Sequence, residues 1–231
     1  MIVERNLIMS LLKMTKDGPV LIENVKKDSR IASDIAVKLL QKLQKEGMVY
    51  LRKDTVEASS ESRLLLAAKA ASLGMDVEQA SSFLRWQEFE SIATLALKNN
   101  GYAVAKNVRF KHAGRKWEID VVGCKKTLVV CVDCKHYHHG LTPSAMKKIA
   151  DAQAERTKAL AEALPNVAFK VDCAKWVKAK FVPVVLSLLP ASFKFCGDVP
   201  IVPVLQLQDF LNQLPAYAHS LTCFQKVFQH L

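Results

Sequence analysis

Apolar residues recur along this chain at two different periods. At helical spacing, Leu7, Ile8, Leu11 and Leu12 form one face of a first helix over Glu4 to Met14, which Asp17-Gly18-Pro19 ends. A second short helix is expected over Ile22 to Lys27. A third starts at Ser33 as N-cap, turns Ile35, Leu39, Leu40 and Leu43 inward, and stops at Gly47. MVYLRKD and TVEAS then read as two short strands around a charged tip, Arg52-Lys53-Asp54. Ser59 to Leu73 reads as a helix capped by Ser59 or Ser60 and stopped by Gly74, and another short helix covers Asp76 to Leu84. With no Pro and one Gly, this stretch is a structured connector, and Leu64 to Leu66 offer a face for a dimer contact.

Beyond it the pattern turns from helix to strand. The segment WQEFESIATLALKNNGYAV, residues 86–104, carries Phe89, Ile92, Ala93, Ala96 and Leu97 at helical spacing, with Asn99, Asn100 and Gly101 as a stop. KWEIDVV (116–122) and TLVVCVDCK (127–135) are rich in β-branched residues and read as adjacent strands joined by a turn from Gly123 to Lys126. Pro143 to Leu164 reads as a long helix with Met146, Ile149 and Ala150 inward and Lys147, Lys148, Arg156 and Lys158 outward. KFVPVVLSLLP (180–190) is almost continuously apolar, as a strand covered on both faces should be, and Val199 to Leu205 repeats the signal before a last helical stretch. The predicted class is α/β with a mixed central sheet, preceded by an α+β domain. The expected boundaries are 1–58, a helical linker 59–85, and 86–231.

Composition narrows the function. Half of the 231 residues are hydrophobic, ample for real cores. Lys and Arg number 33 against 22 acids, a net charge of +11, and residues 86–231 hold 19 basic against 11 acidic side chains. A polyanionic partner is the simplest physical consequence. No run of eighteen apolar residues occurs, and Glu4 and Arg5 interrupt the first helix, which argues against a secreted or membrane protein. The six cysteines lack framework spacing, so reduced thiols in a cytoplasmic protein are expected.

The chemistry concentrates at the ends of the two central strands. Alternation puts Cys131, Asp133 and Lys135 on one face and Val130, Val132 and Cys134 on the other. The same parity places Glu118 and Asp120 together, and a hairpin would bring Asp120 towards Asp133. Two acids and a lysine closing apolar runs are costly unless they serve a site, because buried charges need partners. Cys131-x-x-Cys134 splits across the two faces and has no second Cys pair to complete a tetrahedral zinc site. His136, His138 and His139 follow the lysine, and a loop, substrate contact or metal ligation all remain open for them. Glu90 sits in the first turn of its helix, where it also complements the helix dipole. Glu88 lies roughly 200° away around the axis, so only one of the two faces any given site.

This constellation resembles the PD-(D/E)xK phosphodiesterase superfamily, in the branch of Mrr-like restriction endonucleases and archaeal Holliday-junction resolvases. The resemblance runs from about Trp86 to Leu214, with Phe-Glu near the start of the helix and Gly-Tyr after its end. It implies a restriction-endonuclease-like α/β sandwich with Glu90, Asp120, Asp133 and Lys135 as catalytic residues. Asp120, Asp133 and Glu90 would hold Mg²⁺, with Mn²⁺ as its substitute, and Lys135 would act on the attacking water. Asp at 133 replaces the more frequent Glu and shortens the reach to metal. Glu118 shares a face with Asp120 by parity, yet the resemblance assigns the metal to Asp120.

Three helices and a hairpin in the first part resemble the winged helix-turn-helix superfamily, which implies a third helix in a major groove and a hairpin on the backbone. Lys38, Lys42, Lys45, Arg52 and Lys53 are its DNA-binding candidates. Arg109, Lys111, Arg115 and Lys116 are those of the second domain. Winged helices also serve as protein-docking modules, and that alternative stands. The expected function is a Mg²⁺-dependent DNA endonuclease acting on duplex or branched DNA as a homodimer. A non-catalytic DNA-binding regulator or scaffold on a nuclease fold, and an RNA-directed nuclease, are the alternatives.

Overall fold

The computed structural model describes residues 2–135, 142–165, 173, 176–188 and 194–228. They form two compact units, one within Met1–Ser91 and one within Ile92–Leu231. Among the described residues no helix is long and apolar enough to cross a membrane.

The first unit runs α1 (Ile2–Met14), a 3₁₀ turn (Thr15–Asp17), β1 (Val20–Leu21), α2 (Ile22–Ser29), α3 (Ser33–Lys45), β2 (Tyr50–Arg52), β3 (Thr55–Glu57), α4 (Ser60–Ser72) and α5 (Val77–Ser82). Leu7, Ile8, Leu11 and Leu12 are fully buried, as the helical stripe requires, and each such side chain contributes about 1.5–3 kcal/mol by leaving water. β1 joins the expected hairpin to make an antiparallel sheet of order β1-β3-β2. At two residues it is too short to show a period-2 signal.

Two expectations fail on α3. Ala32 occupies the N-cap position without a side-chain hydrogen bond, leaving Ser33 as the first helical residue. The buried stripe is Ala36, Leu40 and Leu43, and Ile35 is 43% exposed.

The connector expected over 59–85 is part of this first unit. Ser59 caps α4 by accepting the Ser62 amide at 3.2 Å. The physical reason for the merger is Arg63, 2% exposed, whose guanidinium pairs with Glu88 at 2.7 Å and donates to the Leu12 carbonyl (2.7 Å), Thr15 Oγ1 (3.0 Å) and the Phe83 carbonyl (2.5 Å). Leu64 and Leu66 are fully buried, which removes them from any subunit contact.

The second unit is entered through α6 (Trp86–Asn99), within which the division between Ser91 and Ile92 falls. β4 (Ala103–His112), β5 (Arg115–Lys125) and β6 (Leu128–Cys134) follow as an antiparallel meander, and α7 (Pro143–Ala163) crosses to β7 (Lys178–Ser187), parallel to β6. β8 (Phe195–Cys196), β9 (Val199–Pro203), a 3₁₀ turn, α8 (Leu207–Tyr217) and β10 (Phe224–Val227) complete it. The sheet order is β4-β5-β6-β7-β9-β8, with β10 also paired to β7. A parallel partner requires a long crossover, which α7 supplies. This mixed α/β arrangement is compatible with a restriction-endonuclease-like fold.

α6 stops at Asn99, at the stop signal of Asn99, Asn100 and Gly101: Gly101 takes φ 75° and Tyr102 donates its amide to the Leu97 carbonyl at 3.0 Å, closing the helix end. β5 and β6 meet at the pair Lys125↔Leu128, so the turn is Lys126-Thr127 and Gly123 remains inside β5. A Cβ at Gly123 would lie 2.7 Å from Leu97 Cδ2, so this glycine serves the approach of α6 to the sheet. The face under α7 is lined by Val122, Cys124, Val129, Cys131 and Phe181 against Ala159, Leu160 and Ala163.

Arg63→Ala is expected to destabilise the protein by about 3–5 kcal/mol, because it strands buried Glu88 and three further acceptors. Urea unfolding measures this. A loss below about 1 kcal/mol would show that the pair is not a structural centre of the first unit.

Candidate active site

Strands β5 and β6 pair through Val121↔Val132, and the next position of that register sets Asp120 opposite Asp133. Asp133 is 4% exposed. Its Oδ1 accepts from Lys135 Nζ and from Arg156 Nη1, both at 3.0 Å. Its Oδ2 is buried and has no hydrogen-bond partner among the described residues. Asp120 is half-buried, and its Oδ2 accepts the backbone amide of Cys134 at 2.7 Å, tying β5 to the end of β6. Burial pushes the Asp120 carboxyl above its ordinary range, and the neighbouring Asp133 charge adds to this. The Cys134 amide, Lys135 and Arg156 oppose the shift.

Asp120, Asp133 and Lys135 are therefore brought together. Arg156 joins them, although the helical pattern turned it outward with Lys147, Lys148 and Lys158. It lies one turn after buried Gln153 on the flank of the inward stripe of α7, and its long stem carries the guanidinium back to the sheet. Gln153 is a second residue that sequence reasoning missed. Its Nε2 donates to the Cys131 carbonyl at 2.7 Å, fixing α7 on β6 one alternation before Asp133. A Gln set between Ala152 and Ala154 in an Ala-rich helix is the signal that could have found it.

Glu118 departs from its expected place. It pairs with Arg109 at 3.1 Å and is exposed. Trp117 and Ile119 pack into the same cluster as Val122 and Cys124, so the inward positions change parity between 119 and 122. On β4, Asn107 takes φ 51° opposite Asp120, between the pairs Lys106↔Val121 and Val108↔Ile119. Local irregularities of this kind re-aim side chains beside sites.

Glu88 and Glu90 are both buried in the first turns of α6. Glu88 is committed to Arg63 and to the Arg85 amide at 2.7 Å, so it has a structural task. Both belong to the first unit. His136, His138 and His139 lie outside the described residues.

The basic candidates divide by what they touch. On the β4–β5 hairpin, Lys111 and Lys116 are exposed register partners, and Arg115 lies over the Trp117 ring at 4.0 Å. In the first unit Lys38, Lys45, Arg52 and Lys53 are exposed, whereas Lys42 is held by Glu4 at 3.0 Å. Burial pushes the Cys131 thiol well above its ordinary range, which suits a core cysteine and not a redox or zinc ligand.

Among the described residues no three His, Cys, Asp or Glu side chains cluster closely enough to hold an ion between them. A pair of carboxylates is nonetheless the usual protein share of a Mg²⁺ site, which keeps several waters. The buried Oδ2 of Asp133, unpartnered among the described residues, fits a hard cation, for which carboxylate oxygens are the matching donors.

Residues 85–178 match the family described as NERD, nuclease-related domain, which contains this whole cluster. A protein of Archaeoglobus fulgidus, described as an uncharacterized protein, is 28% identical over 134 residues, covering 58% of this chain and 95% of the relative. Two solved structures show distant likeness: protein VC1899 from Vibrio cholerae (TM-score 0.41, 11% identity, 93% of this chain and 51% of that one) and restriction endonuclease FokI bound to DNA (TM-score 0.28, 14% identity, 92% and 44%). The chain thus spans about half the length of these two proteins.

The raised pKa of Asp120 has a definite sign. Its folded state holds the proton more tightly than the unfolded one, so stability falls as pH rises from the ordinary value of 3.8 through the raised value, and the penalty is complete above it. Asp120→Asn retains an acceptor for the Cys134 amide and removes the penalty. Its melting temperature should exceed that of wild type at pH 7, with the difference vanishing below pH 3.8. A less stable Asn variant at pH 7 would refute this electrostatic account.

Proposed function

We propose that this protein is a metal-dependent DNA endonuclease that hydrolyses phosphodiester bonds at Asp120, Asp133 and Lys135. The observation that carries this reading is the buried Asp133 carboxylate, saturated by cations on one oxygen and unpartnered on the other, inside a segment that matches a nuclease-related domain.

Asp120 and Asp133 would hold Mg²⁺, or Mn²⁺ in its place, and the ion would supply Lewis acidity at the scissile phosphate. The chain's own groups do the rest. Lys135 is about a third exposed, so its ammonium reaches both Asp133 and solvent. It is placed to orient the attacking water and to stabilise charge developing on the phosphate oxygens. Arg156 is a positioning residue: it holds Oδ1 of Asp133 and leaves Oδ2 for the ion. On the β4–β5 hairpin, Lys111 and Lys116 would neutralise backbone phosphates. Arg109 and Arg115 would assist, after releasing Glu118 and Trp117 respectively.

In the first unit the order α1-β1-α2-α3-β2-β3 supports the winged-helix reading, with Lys38 and Lys45 on α3 and Arg52 and Lys53 at the hairpin as DNA contacts. A second reading of this unit alone, as a protein-docking module, is favoured by Ile35 (43% exposed) and Val37 (38% exposed) on the same helix. Cutting both strands of a duplex requires two such sites, hence a homodimer.

The test is cleavage of duplex, single-stranded, flap and junction DNA, with RNA beside them, in Mg²⁺ or Mn²⁺. Cleavage is expected on at least one DNA, and should fall by about a thousandfold or more in Asp120→Ala, Asp133→Ala and Lys135→Ala. Calorimetry should show Mg²⁺ binding to wild type and none to Asp133→Ala. Metal binding without cleavage of any substrate would move the chain to the scaffold class, and cleavage of RNA alone would replace DNA as its substrate.

A further inference from the structure

The second unit holds a basic pocket at the opposite end of the sheet from the acidic cluster. Lys125 and Leu128 stand five residues along β5 and β6 from Asp120 and Asp133, about 16 Å at the rise of a strand. There a cavity of about 370 Å³ is lined by Lys125, Lys126, Thr127, Lys180, His219 and Tyr102, together with three apolar residues and no carboxylate.

Three features mark it as more than a solvated turn. Tyr102 is 4% exposed, and its hydroxyl is buried with no hydrogen-bond partner among the described residues. A buried hydroxyl left unpaired is costly, and burial pushes its pKa up, so it remains a donor. Next, Lys126 takes φ 53° in the two-residue turn between Lys125 and Leu128, where glycine or asparagine would be unstrained. A lysine kept in that conformation favours a use for its side chain. Finally, Lys125 Nζ donates to the Asn100 carbonyl at 2.7 Å and lies 5.6 Å from the Tyr102 ring centroid, which fixes one ammonium at the wall and leaves it further donors.

From this geometry we infer a binding site for a phosphate-bearing ligand of nucleotide size, with Lys125, Lys126 and Lys180 on the phosphate oxygens, Thr127 as a hydroxyl donor and Tyr102 as part of the wall. Three ammonium groups with no carboxylate partner among the described residues match a doubly charged phosphate better than a single carboxylate. The volume suits a ligand at the small end of the usual range. The phosphate belongs either to a free nucleotide or to a nucleic-acid strand. The site is independent of the acidic cluster, so its failure would leave the nuclease reading standing.

Calorimetric titration of the full chain with ADP, inorganic phosphate and adenosine tests the inference. Saturable binding of ADP is expected, weaker binding of phosphate, and none of adenosine. Lys126→Gly and Lys180→Gln should each weaken ADP by about tenfold or more, the loss of one charge-assisted contact. Lys126→Gly should melt no lower than wild type, because glycine suits the positive φ, which separates binding from folding. A single-stranded oligonucleotide that displaces ADP, and weakens in the same variants, identifies the nucleic-acid source. Failure to displace identifies the free nucleotide. No saturable ADP binding, equal binding of adenosine, or unchanged affinity in both lysine variants overturns the inference.

Discussion

The second unit is organised around one buried negative charge. Asp133 lies one residue from the end of a strand whose preceding four residues are inaccessible to water, and an ionised carboxylate in such a place must be compensated. Lys135 comes from the same strand two residues on, and Arg156 comes from the helix that returns over it, so the charge links β6 to α7. Gln153 adds a neutral tie between the same two elements at the Cys131 carbonyl. Asp120 contributes from β5 through the Cys134 amide, which closes the third side. Oδ2 of Asp133 lies outside all of these contacts. A cluster whose charges were there only for stability would more naturally saturate both oxygens, because replacing such a group by apolar packing is often neutral or better.

How far the sequence revealed this depends on the range of the interaction. Asp133 and Lys135 are two apart on one strand, so alternation alone puts them together. Asp120 follows from one further step, the pairing of adjacent strands. Arg156 is 23 positions from Asp133 and lies where a helical wheel alone turns a charge to solvent; only the crossing of α7 over β6 decides its direction. Glu118 was misplaced for a related reason. Strict alternation was extended through Asp120, where Asn107 on the neighbouring strand takes a left-handed conformation and the inward positions change parity. The rule held along β6, which is straight in this respect, and failed along β5.

Fold-level reading shows the same division. Stripes with large side chains, such as Leu7, Ile8, Leu11 and Leu12, were legible because the burial signal is strong and local. On α3 Leu40 and Leu43 are inward as expected, but the first inward residue is Ala36, too small to compete on the page with Ile35. β4 carries five charged or polar side chains among its ten residues, so it lacked the apolar run of its neighbours. Gly123 looked like the start of a turn, whereas it is a strand residue made necessary by Leu97. The tie of residues 59–85 to the first unit is not legible in the sequence, because its contact, Arg63 with Glu88, spans 25 residues and consists of charges that a sequence pattern assigns to the surface.

The aspartate at 133 explains why α7 has to supply an arginine. A glutamate at the end of β6 would carry its carboxylate one methylene further from the strand, nearer to water and to the lysine. Aspartate keeps both oxygens within the layer of the sheet, at 4% exposure, where one ammonium that is itself a third exposed is a thin counter-charge. The guanidinium of Arg156 supplies the rest without a proton to lose, since arginine remains charged at any relevant pH. It also restricts the carboxylate's rotation, because Oδ1 is gripped from two directions. The shorter side chain and the helix-borne arginine are thus one solution to one constraint, and the orientation of the unpartnered oxygen depends on both.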